Sequence, residues 1–300
     1  MEILKVDILN DTKPVYFILK YKLMKKYLIA LAFFISTGVC AQKIALSKGQ
    51  EITITTNGTQ DIDMSGMGMQ MKNITSSTSL LKVMESNKEN ITTSYTLTKV
   101  NLSMDMMGQQ SSYDSEKPED KDSEMGKAIS EKIDKAINVI INKNTGKAIL
   151  KKPERDSTEK KEDANPLEGL MDSFGSVTEE ATVETVFFNI PNEKKAGESW
   201  IDSSSNNKMK EIKTYTLKSI VAGIANVGFF STMDGSNSME TQGMQMDINL
   251  SAKTEGEIIV DTKSSLVKKR SSVMDMTGSI DVMGQSVPIT SKAIVNIDYK

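Results

Sequence analysis

The chain contains no histidine, and its single cysteine, Cys40, lies in an apolar stretch near the N-terminus. Without these side chains there is no Ser-His-Asp or Cys-His nucleophile pair, no imidazole general base, and no His/Cys set for zinc or iron. Weaker patterns remain. Ser-x-x-Lys occurs at Ser157/Lys160, Ser205/Lys208 and Ser265/Lys268, always in or beside polar loops of a chain rich in serine and lysine. A carboxylate pair such as Asp61/Asp63 has the chemistry of a glycosidase, but 1 Trp and 5% aromatic residues leave little to stack on a sugar. The acidic run from Asp114 to Glu124 lacks the ligand spacing of a calcium loop. The expectation is a protein that is not an enzyme and carries no cofactor.

Methionine is the one unusual chemical resource, with 20 in the chain. Thioethers are soft ligands that suit Cu(I) and Ag(I), and Met-x-Met places two sulfurs on one face of a strand. Met64, Met67, Met69, Met71, Met244 and Met246 are therefore candidate ligands of a copper or silver buffer. The competing reading is packing, because methionine is an adaptable apolar filler.

The elements that position these residues are strands arranged in an internal repeat. Gly68-Met69-Gln70-Met71 recurs as Gly243-Met244-Gln245-Met246, and Met104-Asp105-Met106-Met107-Gly108-Gln109 recurs as Ile280-Asp281-Val282-Met283-Gly284-Gln285. The two motifs keep their order and nearly their spacing, which marks a duplication. Ile280 and Val282 stand where the first copy has Met104 and Met106, so apolar character fits both copies better than sulfur does. Val287, Ile289, Ala293, Val295, Ile297 and Tyr299 alternate with mostly polar neighbours at the two-residue period of a strand. In the first copy Ile91, Thr93, Tyr95 and Leu97 keep one phase and Val100, Leu102, Met104 and Met106 take the other, the slip that a β-bulge produces. Turns are expected at Ser65-Gly66, Asn87–Asn90, Gly108-Gln109, Asp234-Gly235, Asp261–Ser264 and Gly284-Gln285.

Between the copies the pattern changes. Ile129, Ile133 and Ile137 fall at helical spacing and predict a helix over 123–138. Asn144-Thr145-Gly146 then turns between Val139–Ile141 and Ala148–Leu150. Residues 153–165 form a charged linker, and a second helical stretch covers 166–174 and 177–187 before Pro191.

At the N-terminus, Lys25-Lys26, the apolar run Tyr27–Ile35 and the small residues up to Ala41 have the anatomy of a signal peptide over 24–41, cut before Gln42. Residues 1–23 then read as an extension foreign to the native chain. Val39 stands where a lipobox needs a small residue, so Cys40 is not expected to carry lipid. The sequence thus divides into that extension (1–23), the leader (24–41), a first β-rich repeat with helix and hairpin (42–152), the linker (153–165), and a helix with the second repeat (166–300). A net charge of −3 offers no excess cation for a phosphate backbone, so nucleic acid is not an expected partner.

The leader, Tyr113-Asp114-Ser115, the hairpin ending in Gly146, Pro191 and Gly197-Glu198-Ser199-Trp200 together resemble a family of uncharacterised exported envelope proteins of Gram-negative bacteria, a domain of unknown function. The resemblance implies a β-rich fold in the periplasm or at the cell surface and carries over no catalytic residues. The expected architecture is α+β and β-dominated, with long curved antiparallel strands in two related repeats and one or two helices packed between or against them. The expected function is non-catalytic binding of a lipid or other apolar ligand, or of an envelope protein, with membrane contact only through the leader. A Met-rich copper buffer and a structural envelope component are the alternatives. The candidate cavity, between sheet and helix, is lined by Ile129, Ile133, Ile137, Leu102, Met104 and Val295.

Overall fold

The computed structural model describes residues 44–150 and 179–300, apart from 65, 67, 206–208, 242–243 and 283–284. Among the described residues, twelve strands form one antiparallel sheet: β1 (Glu51–Met64), β2 (Met69–Ser86), β3 (Asn90–Met106), β4 (Gln109–Asp114), β5 (Ala136–Asn142), β6 (Ala148–Leu150), β7 (Ser199–Ser205), β8 (Met209–Val221), β9 (Ile224–Thr241), β10 (Met244–Asp261), β11 (Val267–Val282) and β12 (Gln285–Tyr299). Their order is β6-β5-β3-β2-β1-β12-β11-β10-β9-β8-β7, with β4 on the remaining length of β3. Two short helices, α1 (Glu124–Ser130) and α2 (Glu179–Glu184), accompany it. The β-dominated α+β architecture and the long antiparallel strands agree with the sequence pattern.

The repeat extends to the register. Met71 faces Met106 and Asn73 faces Met104 across β2 and β3. Met246 faces Val282 and Ile248 faces Ile280 across β10 and β11. The sheet therefore contains two four-stranded meanders, β4-β3-β2-β1 and β12-β11-β10-β9, laid head to tail and joined where β1 pairs with β12. Gly68 and Gly108 take left-handed φ of 67° and 83° in the turns of the first meander; Gly243 and Gly284 lie outside the described residues. Met107-Gly108 closes β3 onto β4 as a two-residue turn with both φ positive, the geometry that matches strand twist.

The expected slip in β3 is a bulge. Leu97 faces Ser79 and Lys99 faces Thr78, so Thr98 is the extra residue, and its hydroxyl donates to the Thr78 carbonyl at 2.9 Å. The Asn87 turn also forms, its Oδ1 accepting the Glu89 and Asn90 N–H groups. The turn expected at Asp234-Gly235 does not: both residues lie inside β9, where Gly235 pairs with Met209 and Leu250. The turn there is Ala222-Gly223, between β8 and β9, again with both φ positive.

The predicted helix over 123–138 is also corrected. Its start is right, since Ser123 Oγ accepts the Gly126 N–H at 2.9 Å as an N-cap. α1 nevertheless ends at Ser130. Ile133 makes an isolated parallel bridge with Leu97, and Asp134 takes a left-handed φ of 58° that a right-handed helix cannot continue through. Ile137 belongs to β5, where Ile137, Val139 and Ile141 face Tyr95, Thr93 and Ile91. Pairing along β3 outweighs three isoleucines at helical spacing. The leader, the linker at 153–165 and the helix expected at 166–174 lie outside the described residues.

One face of the sheet, the inner face, carries two apolar clusters at opposite ends of the strands. The larger gathers Ile52, Leu81, Ile91, Val139, Leu217, Val227, Ile258 and Val267 around Val183, Val186 and Phe187 of α2 and the segment after it. That segment is tied to both flanks. Glu184 Oε1 accepts the Ala148 N–H of β6 at 2.9 Å, Tyr299 Oη donates to Thr185 Oγ1 at 2.8 Å, and the Phe188 N–H donates to the Ser265 carbonyl at 2.9 Å. The smaller cluster, at the turn end, contains Ile62, Met64, Met71, Met104, Ile248, Ile280 and Ile289. Each such buried side chain contributes about 1.5–3 kcal/mol.

Candidate functional site

A lateral row of inner-face residues in direct register starts in the gap between the two clusters and runs into the larger one at Phe229 and Tyr215. Tyr113 of β4 pairs with Leu102 of β3, Leu102 with Thr75 of β2, Thr75 with Gly58 of β1, and Gly58 with Val295 of β12. The row continues through Ser272 of β11, Gly256 of β10, Phe229 of β9, Tyr215 of β8 and Trp200 of β7. Its two ends are bulky and its middle is small. Thr75 is exposed although it lies on the inner face, and Leu102, Gly58, Val295 and Ser272 are only half-buried. The small side chains leave this strip of the inner face, termed the trough, open to solvent, with Thr56 and Ser77 beside it on one side and Gln60 and Asn73 on the other.

Glycine is required in this row where the sheet closes up. A Cβ on Gly256 would lie 2.6 Å from the Phe229 ring and 2.2 Å from the Ser271 carbonyl oxygen, so Phe229 can lie across the strand only because Gly256 has none.

The aromatic end is the most elaborated part. Trp200 stacks on Tyr215 with centroids 5.5 Å apart and planes at 25°, Phe188 packs 5.0 Å from Tyr215 and Phe229 6.2 Å from it. The Arg270 guanidinium sits 5.1 Å above the Phe229 ring. Burial pushes the Tyr215 hydroxyl above its usual range; Arg270 opposes this, while Asp202 and Glu211 add to it. A cleft of about 350 Å³ opens beside these rings, lined by Phe187, Phe188, Trp200, Asp202 and Tyr215 among others. On the opposite face a groove of about 610 Å³ contains Val273 and the exposed Phe230 (46%) and Ile294 (41%), with the Lys218–Glu257 ion pair.

Of the residues expected to line a cavity, Leu102 and Val295 fall in the row and flank the trough. Met104 lies one step toward the turn end, 8% exposed in the smaller cluster, and Ile137 packs against the larger one. Ile129 is on α1 and Ile133 on the segment after it, and neither lines the cleft or the groove. The methionines do converge in part. Met64 faces Met69 and Met71 faces Met106, on the same face as Met104. They interleave with Ile62, Ile280 and Ile289, which cannot ligate a metal, in one buried apolar cluster. Met67 and the Met244 and Met246 side chains lie outside what is described. Asp61 and Asp63 occupy the outer face of β1, and Ser265 is buried while Lys268 is exposed.

Sequence reasoning missed Gly58, Gly256, Ser272, Phe229 and Arg270. The available signal was a glycine inside an alternating apolar run, which marks close approach by a neighbour.

The fold and this face define an internally duplicated, twelve-stranded antiparallel sheet with a trough on one side. The chain belongs to the family of unknown function DUF6263, whose model matches residues 88–267. No curated protein sequence matches it. Solved structures similar to it include lipovitellin, at 10% identity and a TM-score of 0.47, over 85% of this chain and 25% of that one. An outer membrane channel from Pseudomonas putida F1 is similar at 6% identity and a TM-score of 0.24, over 86% of this chain and 97% of that one. The chain thus spans about a quarter of the lipovitellin chain.

Proposed function

We propose that this protein is a non-catalytic binding protein for an apolar ligand, held in the inner-face trough, in the periplasm or at the cell surface. The observation that supports the reading is the lateral row. A sheet with one packed face has no reason to leave Thr75 exposed and Val295 and Leu102 half-buried between two close-packed clusters. A concave apolar surface with few polar groups is what a small apolar ligand requires. The envelope location rests on the leader-like sequence at 24–41. The test is binding of a neutral naphthylamine dye to the purified protein and to Thr75→Trp, which fills the trough from a position that supports no core contact. Dye binding by the wild type, lost in the variant with circular dichroism unchanged, supports the reading. Dye binding that survives in the folded variant overturns it.

A further inference from the structure

Arg270 is the only arginine among the described residues, and it stands on the inner face. Its register partners are Ile258 and Ile297, a buried and a half-buried apolar side chain, so it lies one step below Ser272 on the trough floor. It is half-buried, and among the described residues no carboxylate pairs with it. Its guanidinium lies over the Phe229 ring, which reaches across the strand where Gly256 has no side chain.

The other inner-face charges nearby are accounted for differently. Lys213 pairs with Glu211 at 2.7 Å, and Glu211 also accepts the Ser231 hydroxyl at 2.9 Å. Asp202 opens into the aromatic cleft beside Trp200 and Tyr215. Tyr215 and Tyr299 both feel the Arg270 charge, and both are phenols that burial keeps neutral, so neither supplies an anion. A cation partly removed from water without an anion is unfavourable, and an aromatic face compensates it only in part.

We propose that Arg270 receives the carboxylate of an acyl-chain amphiphile whose tail lies along the trough, a reading that rests on the trough binding an apolar ligand. The guanidinium is a planar fork that matches a carboxylate with two parallel hydrogen bonds. The Ser272 hydroxyl, on the same face of the same strand, is a further donor for the headgroup. From Ser272 the row runs over Val295, Gly58 and Thr75 to Leu102. That crosses four interstrand spacings, about 19 Å in all, the reach of a long acyl chain. Beyond the headgroup the row itself is Val, Gly, Thr and Leu, and of the polar side chains beside it Gln60 already donates to Ser291 Oγ at 3.3 Å.

The experiment displaces the neutral naphthylamine dye with palmitate and, separately, with methyl palmitate, in the wild type and in Arg270→Gln and Arg270→Lys. The acid is expected to displace the dye at about a tenfold lower concentration or less than the ester from the wild type. Arg270→Gln should bind acid and ester alike, and Arg270→Lys should recover part of the preference. Equal displacement by acid and ester from the wild type, or a preference that survives in Arg270→Gln, overturns the assignment while leaving the trough as an apolar site. Failure of the wild type to bind the dye or either lipid overturns the trough reading, and this one with it. A lysophospholipid that competes as well as palmitate and loses its affinity in Arg270→Gln replaces the carboxylate with a phosphate and overturns the headgroup assigned here.

Discussion

The two meanders have the same strand order and equivalent registers, yet only one is whole. In the second, β12 runs unbroken from Gln285 to Tyr299 along β11. In the first, the same place beside β3 is filled by β4 and β5, with Ser115–Lys135 looped out between them. β3 is satisfied along most of its length either way, because a ladder needs paired backbone groups and not a continuous chain to supply them. The interruption begins two residues past Tyr113, at the bulky end of the row, with four strands between it and Ser272 on β11. A duplicated sheet thus tolerates an insertion in its fourth strand, while the register of the strands around β1 and β12 holds the trough.

The sharpest break in the comparison is an exchange at a position where the copies differ in size. Gly278 occupies the place in β11 that Leu102 occupies in β3, two residues before the equivalent Ile280 and Met104. A Cβ at 278 would lie 2.2 Å from the Asn249 carbonyl oxygen and 2.8 Å from Leu250. Gly278→Leu should therefore cost about 3 kcal/mol or more, or prevent folding, because backbone has to move. Urea denaturation measures it. A cost below about 1 kcal/mol would mean that the second meander is no more tightly coiled here than the first.

A smaller loss is expected at the equivalent core site. Ile280 is 4% exposed, so Ile280→Ala should cost about 3 kcal/mol through lost burial and the cavity left behind. The same truncation at Thr75, exposed on the trough, should stay within about 0.5 kcal/mol. Equal losses would show that the trough is packed.

The end of the unbroken strand has a pH signature. Tyr299 is buried and its hydroxyl is pushed up to about 12, first by burial, with the Thr185 hydrogen bond and the Arg270 charge opposing. The fold favours the neutral phenol, so this contribution is fully present below the ordinary value of 10.0 and is lost as pH rises through about 12. The size follows from the shift, about 2–3 kcal/mol. Tyr95 and Tyr215 are shifted in the same direction. Alkaline unfolding should accelerate above pH 10, and Tyr299→Phe should flatten part of that fall. An identical pH profile in the variant would show that Tyr299 is not held neutral by the packing of β12 under α2.

How much of this could be read in advance follows from the range of each interaction. The long strands, the bulge at Thr98 and the duplication are local or periodic, and the alternation of Val287 to Tyr299 carries them directly. The helix over 123–138 failed because Ile137 answers to Tyr95, a partner more than forty residues away, and not to Ile133. Gly235 was misread as a turn because glycine inside a strand is indistinguishable from one that ends it until the neighbouring strands are placed. Leu102 and Val295 were legible as apolar strand positions. Their meeting with Gly58, Ser272 and Gly256 depends on five strand pairings that no single stretch of sequence encodes.

A further small effect separates packing from metal chemistry at the turn end. Met104 and Ile280 are equivalent, both buried in the same cluster, and their partners across the ladder are Asn73 and Ile248. If the cluster needs only apolar volume, Met104→Ile should cost less than about 1.5 kcal/mol, as volume-conserving exchanges do, and far less than Met104→Ala. The exchange also removes one sulfur from the group formed with Met64, Met69, Met71 and Met106. Titration with Cu(I) against a competing chelator then reads the second property in the same variant. Thermal stability kept and no uptake of Cu(I) by either form fit methionine as filler on a coiled sheet, where its flexible chain adapts to a face that isoleucine fills in the other copy. Stoichiometric Cu(I) uptake by the wild type that drops in Met104→Ile would instead mean that the copies have diverged in chemistry as well as in the continuity of their fourth strand.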